Sequence, residues 1–348
     1  MPFSRLSIQW KITLLAGLCL LVIVTLLVAT SLYQARSSAE MVKQSSSQML
    51  EQAAQLRMQA RAEAQALEIQ RYFMDAYQYG KGFSRQVLFL RAQAEKRFLD
   101  AFDLREDMTR QVRTALEGNP DLLGLYVVFE ANALDGKDDL FVGQAELGSN
   151  DKGRFSLYWS QATAGELEAE PLTEEQLADT TAGPSGTPYN AWYTCPRDSK
   201  AACVLDPYFD DVGGKQILMT SIAFPLLLDG KVVGVMGVDI SLDSLQQLSM
   251  QAHKALYEGA GQVSIISPAG LLAGHSNNSK LLGEPLLKAF AEQGSELLDL
   301  IKRGQPAALK HSQMQRLVSP WQPIPDAKPW SVLLEVPNAV LLKPALQL

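Results

Sequence analysis

The chain has 348 residues, of which 47% are hydrophobic and 20% are charged, so it is long enough for two or three domains and too apolar for a disordered chain. It carries 31 Lys and Arg residues against 38 Asp and Glu residues, and the net charge of −7 argues against general nucleic-acid binding. Residues 119–255 hold 20 acidic and 8 basic residues, a net charge of −12. This acidic middle matches a cationic partner, although an ordinary solvated surface produces the same count.

Residues 12–33 form an uncharged run rich in Leu, Val, Ile and Ala, and about 20 apolar residues are enough for a helix to cross a bilayer. Arg5 and Lys11 precede the run, so we expect residues 1–11 to stay in the cytoplasm. A cleaved signal peptide is the alternative, but its apolar region is shorter, about 7–15 residues, and ends at a small-residue cleavage site. We therefore expect an uncleaved transmembrane helix, with the rest of the chain outside the cytoplasm.

Residues 34–118 are predicted to form one long helical segment. They are rich in strong helix formers, and within residues 34–117 Gly occurs only at positions 80 and 82. We expect the Gly80–Gly82 step to break or bend the helix. Gly118, followed by Asn119 and Pro120, is typical of a helix end. A helix of this length projects from the membrane and supplies one stripe of side chains to the domain that follows.

After Pro120 the pattern favours strands separated by turn residues, so we predict an α+β fold. The first group of expected elements comprises strands at 123–129 and 154–159, a polar loop at 160–188, a hairpin of 216–228 with 231–240 about Asp229-Gly230, and a helix at 241–257. The second group comprises strands at 261–267 and 271–275, a helix over 282–302 and a closing strand at 330–335. This order predicts two small α/β modules in tandem.

The sequence contains no recognisable catalytic constellation, Gly-rich phosphate loop or metal-ligand pattern. We therefore expect no enzyme activity, no cofactor and no metal site. Cys195 and Cys203 lie eight positions apart in a polar loop, and a location outside the cytoplasm permits a disulfide between them. Metal binding by these two cysteines is less favoured, because no His lies near them in sequence.

An aromatic and acidic set of residues indicates a site for an ammonium group. A ring face attracts a cation through its quadrupole, and a carboxylate adds a charge-assisted hydrogen bond. The set comprises Tyr158, Trp159, Tyr189, Trp192, Tyr193, Tyr208, Asp206, Asp210 and Asp239. The alternative is that the rings are ordinary core residues and the acids ordinary loop residues.

Two stretches resemble the double-Cache sensor domains of bacterial methyl-accepting chemotaxis proteins. They are residues 205–221, LDPYFDDVGGKQILMTS, and residues 232–245, VVGVMGVDISLDSL. The single N-terminal span, the long helix and the two modules agree with this resemblance, which covers residues 35–348. Within that family, residues 153–159 (GRFSLYW) and 219–221 are most similar to pseudomonad receptors for polyamines and histamine.

The resemblance implies a transmembrane helix (12–33), a long stalk helix (34–118) and two tandem PAS-like Cache modules with antiparallel sheets. The first, membrane-distal module (119–257) binds the ligand, and the second (258–340) lies nearer the membrane. Residues 341–348 then begin a helix toward a second span. The resemblance also implies a homodimer in the bacterial inner membrane with a periplasmic sensor. Chemotaxis signalling proteins, or a kinase or cyclic-nucleotide enzyme in other members, then act only through a cytoplasmic part absent from this chain.

The resemblance assigns the ligand's ammonium group to Asp239. Amino-acid sensors of the family carry an Arg two positions before a Trp-Tyr pair, where it holds the ligand carboxylate. Here Trp192-Tyr193 is preceded at that position by Asn190, so we expect an amine without a carboxylate. Asp210, or alternatively Asp206, serves a second ammonium group. The expected box around the body of the ligand is Tyr158, Trp159, Trp192, Tyr193 and Tyr208.

Two other readings of the sequence stay open. In one, the protein is an amino-acid or organic-acid sensor in which Arg154 or Arg197 supplies the positive charge that position 190 lacks. In the other, it is a membrane-anchored module that binds another protein and no small molecule.

Overall fold

The structure, a computed structural model, describes residues 7–291, 293–311 and 313–341. Residues 1–6 of the expected cytoplasmic tail lie outside this range, as does all but Leu341 of the helix expected at 341–348. The chain divides into two compact units: one contains the N-terminal helical segment through Arg57, and the other is Met58–Val340.

The architecture is mixed α and β, as predicted. The helices are α1 (Ile8–Arg97), α2 (Ala101–Glu117), α3 (Glu174–Ala178), α4 (Ala191–Ser199), α5 (Leu242–Ala255), α6 (Gly294–Arg303) and α7 (Asn338–Leu341). The first strands are β1 (Gly124–Phe129), β2 (Ser156–Ser160), β3 (Glu168–Pro171), β4 (Cys203–Val204), β5 (Tyr208–Val212), β6 (Lys215–Leu228) and β7 (Lys231–Ser241). The later strands are β8 (Gln262–Ile266), β9 (Leu272–His275), β10 (Ala307–His311), β11 (Met314–Trp321) and β12 (Trp330–Pro337).

Helix α1 contains a stretch that is long and apolar enough to cross a membrane, by length and composition. The predicted break at Gly80–Gly82 is wrong, because α1 runs unbroken from Ile8 to Arg97. A Cβ atom at Gly80 would collide with the ring of Phe224, so this glycine permits close packing rather than a bend. The chain turns instead at Phe98, whose φ is 54°, and Asp100 then caps α2 by accepting a hydrogen bond from the Phe102 backbone N–H at 2.9 Å.

Among the described residues, the first sheet has seven strands in the order β3-β2-β1-β7-β6-β4, with β5 also paired to β6, and each of its ladders is antiparallel. Strand β7 is central, and its Asp239 lies between Gly124 of β1 and Ser221 of β6. Because side chains alternate along a strand, Asp239, Gly237 and Val235 share one face.

The two faces of the first sheet are covered by different elements. One face joins the rings of α4 and the β4–β5 region in a buried cluster that includes Tyr126, Tyr158 and Trp192. The other face is covered by helices, and there Tyr77 of α1 stacks on Phe224 of β6 with ring centroids 5.5 Å apart. Both faces are therefore buried, and any polar group placed on either face needs a partner.

The second sheet has five strands among the described residues, in the order β10-β11-β12-β8-β9. Helix α1 reaches it through Phe73, whose ring lies 5.2 Å from Trp321 and 5.3 Å from Trp330. The helix expected over 282–302 is shorter than predicted: α6 begins only at Gly294, because Gly283 has a φ of 77° and Pro285 lacks an amide hydrogen. Several elements were not predicted: strands β4, β5, β10 and β11, helix α4, and the two short elements β3 and α3 in the expected 160–188 loop.

A buried ion-pair network holds the loop after β1 against α2. Arg105 is fully buried and donates to Asp135 at 2.7 and 2.9 Å, to Asp138 at 2.8 Å, and to Ser149 and the Gly153 carbonyl at 2.7 Å each. Each carboxylate therefore receives charge-assisted hydrogen bonds from the same guanidinium group.

We expect Arg105→Met to lower the free energy of unfolding by about 3–5 kcal/mol, because it leaves two carboxylates buried without a counter-charge. Arg110→Met on the same helix is the matched control, since its ion pair with Asp107 is exposed and such pairs contribute about 0–1 kcal/mol. Thermal unfolding of the full chain in detergent micelles measures both effects. Equal shifts for the two variants would contradict a structural role for the network.

Candidate ligand-binding site

Asp239 lies at the centre of the first sheet and is only 2% exposed. Ser221, its neighbour across the ladder, donates a hydrogen bond of 2.5 Å to Asp239 Oδ1. Because the single hydroxyl hydrogen of Ser221 is used in that bond, Tyr208 donates the 2.6 Å hydrogen bond that joins its hydroxyl to Ser221 Oγ. The carboxylate is thus held by a chain of neutral donors.

Two glycines make room for tyrosine rings around Asp239. A Cβ atom at Gly124 would collide with Tyr158, and one at Gly237 would collide with Tyr126. Tyr126 donates a 2.8 Å hydrogen bond to the Trp192 carbonyl, which fixes α4 over the sheet. The Tyr158 hydroxyl is buried and has no hydrogen-bond partner among the described residues.

A second carboxylate, Asp210 on β5, borders the same aromatic cluster. Tyr189 donates a 2.6 Å hydrogen bond to Asp210 Oδ1, and its ring stands edge-on to those of Tyr208 and Trp192, each at 6.3 Å. The Trp192 ring is also edge-on to Tyr126 at 5.0 Å. The rings therefore form a continuous wall beside the two carboxylates.

The pKa of Asp239 is raised to about 7, chiefly by burial; the hydrogen bond from Ser221 opposes this rise, and the nearby charge of Asp210 adds to it. The Tyr158 hydroxyl also approaches this carboxylate and lowers its pKa, without the geometry of a full hydrogen bond. Burial likewise raises the pKa of Asp210, while the hydrogen bond from Tyr189 lowers it. No ion pair within the described part of the chain involves either carboxylate.

A third acidic residue near Asp239 and Asp210 lies on the edge strand β3. Glu170 lies directly across the ladder from Tyr158, and its pKa is raised by burial and by the neighbouring charges of Asp210 and Asp211. Within residues 7–291, 293–311 and 313–341, no group of three or more His, Cys, Asp or Glu side chains is arranged to hold a metal ion. The arrangement instead suits an organic cation, which takes charge from carboxylates and contact from rings.

The structure brings together Tyr158, Trp192, Tyr208, Asp210 and Asp239 from the sequence-predicted set. Trp159 is not part of this cluster, because it follows Tyr158 on a strand and so points to the opposite face, where Arg113 lies over its ring at 5.6 Å.

Tyr193 belongs to the same apolar cluster, but its hydroxyl points to a different group of charges. It donates to Glu130 at 2.7 Å and accepts from Arg154 at 3.1 Å. Asn190, where the sequence resemblance predicts an Arg in an amino-acid sensor, is buried and donates to the Leu177 carbonyl at 2.9 Å. Tyr193 and Asn190 therefore hold α4 in place.

Asp206, the alternative partner for a second ammonium group, is directed elsewhere. Its Oδ1 accepts a 3.0 Å hydrogen bond from the Ala269 backbone N–H, in the turn between β8 and β9.

Four residues around Asp239 were not predicted from the sequence: Tyr126, Ser221, Gly124 and Gly237. Alternation along β7 places Gly237 on the same face as Asp239. The other three residues follow only from the pairing of β7 with β1 and β6.

Cys195 and Cys203 form a disulfide with Cα atoms 6.3 Å apart. It joins α4 to β4, and β4 pairs with β6 next to Ser221. The helix that carries Trp192 is therefore covalently fixed to the sheet that carries Asp239.

The buried carboxyl group makes the stability of the protein pH-dependent. The pKa of Asp239 is raised from 3.8 to about 7, so between these values the folded state keeps a proton that the unfolded state releases. The free energy of unfolding should therefore fall as pH rises from 4 to 7, by up to about 4 kcal/mol from this group alone.

Asp239→Asn should flatten this decline, whereas Asp229→Asn, the same change at an exposed hairpin turn, should leave it unchanged. Unfolding of the full chain in detergent micelles, measured from pH 4 to pH 8, tests this expectation. A decline of the same slope in wild type and Asp239→Asn would show that Asp239 is not the titrating group.

Residues 108–247 match the family model described as the first PDC sensor domain of methyl-accepting chemotaxis protein-like proteins. The fold agrees with this match. The extracellular domain of the putative histidine kinase mmHK1S-Z3 superposes with a TM-score of 0.65 and 21% identity, over 84% of this chain and 98% of that domain. The periplasmic sensory domain of the Campylobacter jejuni chemoreceptor Tlp1 gives a TM-score of 0.62 and 15% identity, over 81% and 94%.

The sensor region is therefore similar to PDC sensor domains of the methyl-accepting chemotaxis protein type. It is 65% identical over all of its 348 residues to the methyl-accepting chemotaxis protein TlpQ of Pseudomonas aeruginosa PAO1. It covers 49% of the length of TlpQ, so it spans about half of that relative. At 15–21% identity, the two solved structures show the fold alone.

Proposed function

We propose that this chain senses small organic cations, above all diamines, polyamines and histamine, in the periplasm for a chemoreceptor of the inner membrane. The observation that carries the proposal is the burial of the Asp239 carboxylate in the middle of a sheet, with a neutral donor and aromatic rings around it. Among the residues that the structure describes, no cationic side chain pairs with it. A ligand that brings its own positive charge relieves the unfavourable burial.

We propose a separate role for each of these side chains. Asp239 pairs with one ammonium group, and Asp210 pairs with a second, since each carboxylate influences the pKa of the same three rings, Tyr126, Tyr158 and Tyr208. The rings cover the aliphatic or imidazole body that joins the two charges. The two-carboxylate arrangement favours ligands with two cationic ends over monoamines.

An acid-sensing site is less well supported. Arg154 pairs with Glu174 at 2.9 Å and also donates to Tyr193, so its charge is already used. Arg197 pairs with the adjacent Asp198 and lies over the Tyr193 ring at 4.9 Å. Both guanidinium groups therefore already have a carboxylate partner within the chain.

Binding then acts through the equilibrium between conformations, because a ligand shifts a population only as far as it prefers one state. We propose that the apolar segment of α1 anchors the sensor in the inner membrane, that residues 119–257 form the membrane-distal, ligand-binding module, and that the receptor works as a homodimer. Control of chemotaxis belongs to the part of the receptor beyond this chain.

Putrescine, spermidine, cadaverine or histamine should raise the thermal midpoint of the full chain in detergent micelles, because a ligand that binds only the folded state stabilises it. Asp239→Asn should weaken amine binding about tenfold to a hundredfold or more, as expected for the loss of a buried charge-assisted contact. Calorimetry measures the affinity, and Asp229→Asn is the matched control.

Stabilisation by amino acids alone would contradict the amine site and direct attention to an unrecognised guanidinium clamp. No stabilisation by any of these compounds would favour the protein-binding module. Normal amine binding by Asp239→Asn would place the site elsewhere in the sensor.

A further inference from the structure

Asp206 makes the one described side-chain hydrogen bond from the β4–β5 segment to the second sheet. The Ala269 backbone N–H that it accepts is in the turn between β8 and β9. Asp206 stands only two residues before Tyr208, whose hydroxyl donates to Ser221 beside Asp239. Asp206 therefore connects to the second module by its own hydrogen bond and to the ligand site through the short backbone segment that leads to Tyr208.

The segment from 206 to 219, here called the β5–β6 arm, touches the second module at another point. Leu218 packs against Gly283, where an added Cβ would come within 2.7 Å of Leu218 Cδ2. Gly283 in turn donates a 2.7 Å hydrogen bond to the carbonyl of Leu272, the first residue of β9. The same arm carries Asp210. One hairpin therefore contacts the ligand site and also contacts the second module on both sides of β9, at Ala269 and at Gly283.

The β8–β9 turn is packed tightly against the core of the second module. Gly270, next to Ala269, has a φ of 83°, and its carbonyl accepts a 2.9 Å hydrogen bond from the Leu286 backbone N–H. An added Cβ at Gly270 would collide with Leu298. Leu286 is a buried member of the second core, and Leu298 packs against it. Because such cores are close-packed, a shift of the turn moves the residues behind it.

We propose that Asp206 is a positioning residue that ties strand β5 to the β8–β9 turn, so that closure of the ligand site around Asp210 alters the second module. This inference rests on the proposed amine site. Asp206 does not touch the ligand: it acts through the backbone of the arm and through its hydrogen bond to Ala269.

A second path between the modules competes with the arm. Helix α5 begins directly after β7, the strand of Asp239, and its Gln246 exchanges two hydrogen bonds, of 2.9 and 2.8 Å, with the His275 backbone at the end of β9. Asp206 is the simpler test, because its removal leaves this second path intact.

The experiment is hydrogen exchange of the full chain in lipid nanodiscs, with and without saturating putrescine. In the wild type we expect putrescine to slow exchange both around Asp210 and in residues 262–275. Asp206→Ala should keep putrescine affinity within about threefold of the wild type, yet lose most of the protection in residues 262–275. Asp206→Asn keeps an oxygen that accepts the Ala269 N–H, and it should restore that protection.

The outcomes separate the two proposals. Putrescine binding with the same protection of residues 262–275 in wild type and Asp206→Ala would overturn the role of Asp206 and favour the path through α5. Failure of Asp206→Asn to restore the protection would also overturn it, since the hydrogen bond would not be the link. Failure of the wild type to bind putrescine would overturn the proposed amine site itself, and with it this inference.

Discussion

The structure around the site depends on one constraint, the burial of the Asp239 carboxylate in the central strand of the first sheet. A charge in that position is unfavourable unless it is neutralised or paired, and the surrounding residues do neither completely. Ser221 donates a hydrogen bond to it, Tyr208 donates to Ser221, and the hydroxyls of Tyr126 and Tyr158 lie near it, but no cation pairs with the carboxylate among the described residues. The core therefore holds an acidic group with a raised pKa, and a cationic ligand can stabilise its ionised form.

The rest of the first module holds this unfavourable arrangement in place. Helix α4 has nine residues, with Pro196 inside it, and would not be stable alone. It is fixed over the sheet by the disulfide of Cys195 with Cys203 and by the hydrogen bond of Tyr126 to the Trp192 carbonyl. The Arg105 network fixes the loop after β1 in a similar way. Stability gained in these contacts offsets the buried carboxylate.

Sequence reasoning identified the fold class, the long N-terminal helix and most of the clustered residues, because strand alternation and aromatic–acid composition are local signals. It placed Trp159 beside Tyr158, although neighbours on a strand face opposite sides. It expected a bend at Gly80, where the glycine instead admits the Phe224 ring. Helix α4 was not predicted because its stability comes from tertiary contacts. Asp206 was predicted to be near the ligand because its actual partner, the Ala269 N–H, is 63 positions away in the sequence and leaves no local signal.

The central claim is that a cation binds against an Asp239 carboxylate that is largely protonated in the free protein. Amine binding must then release protons, which calorimetry of putrescine binding in buffers of different ionisation enthalpy measures directly. With the pKa of Asp239 at about 7, we expect about 0.8 protons released per bound putrescine at pH 6.5, and close to none at pH 8.5. Binding that releases no protons at pH 6.5, or that takes protons up, would contradict the account.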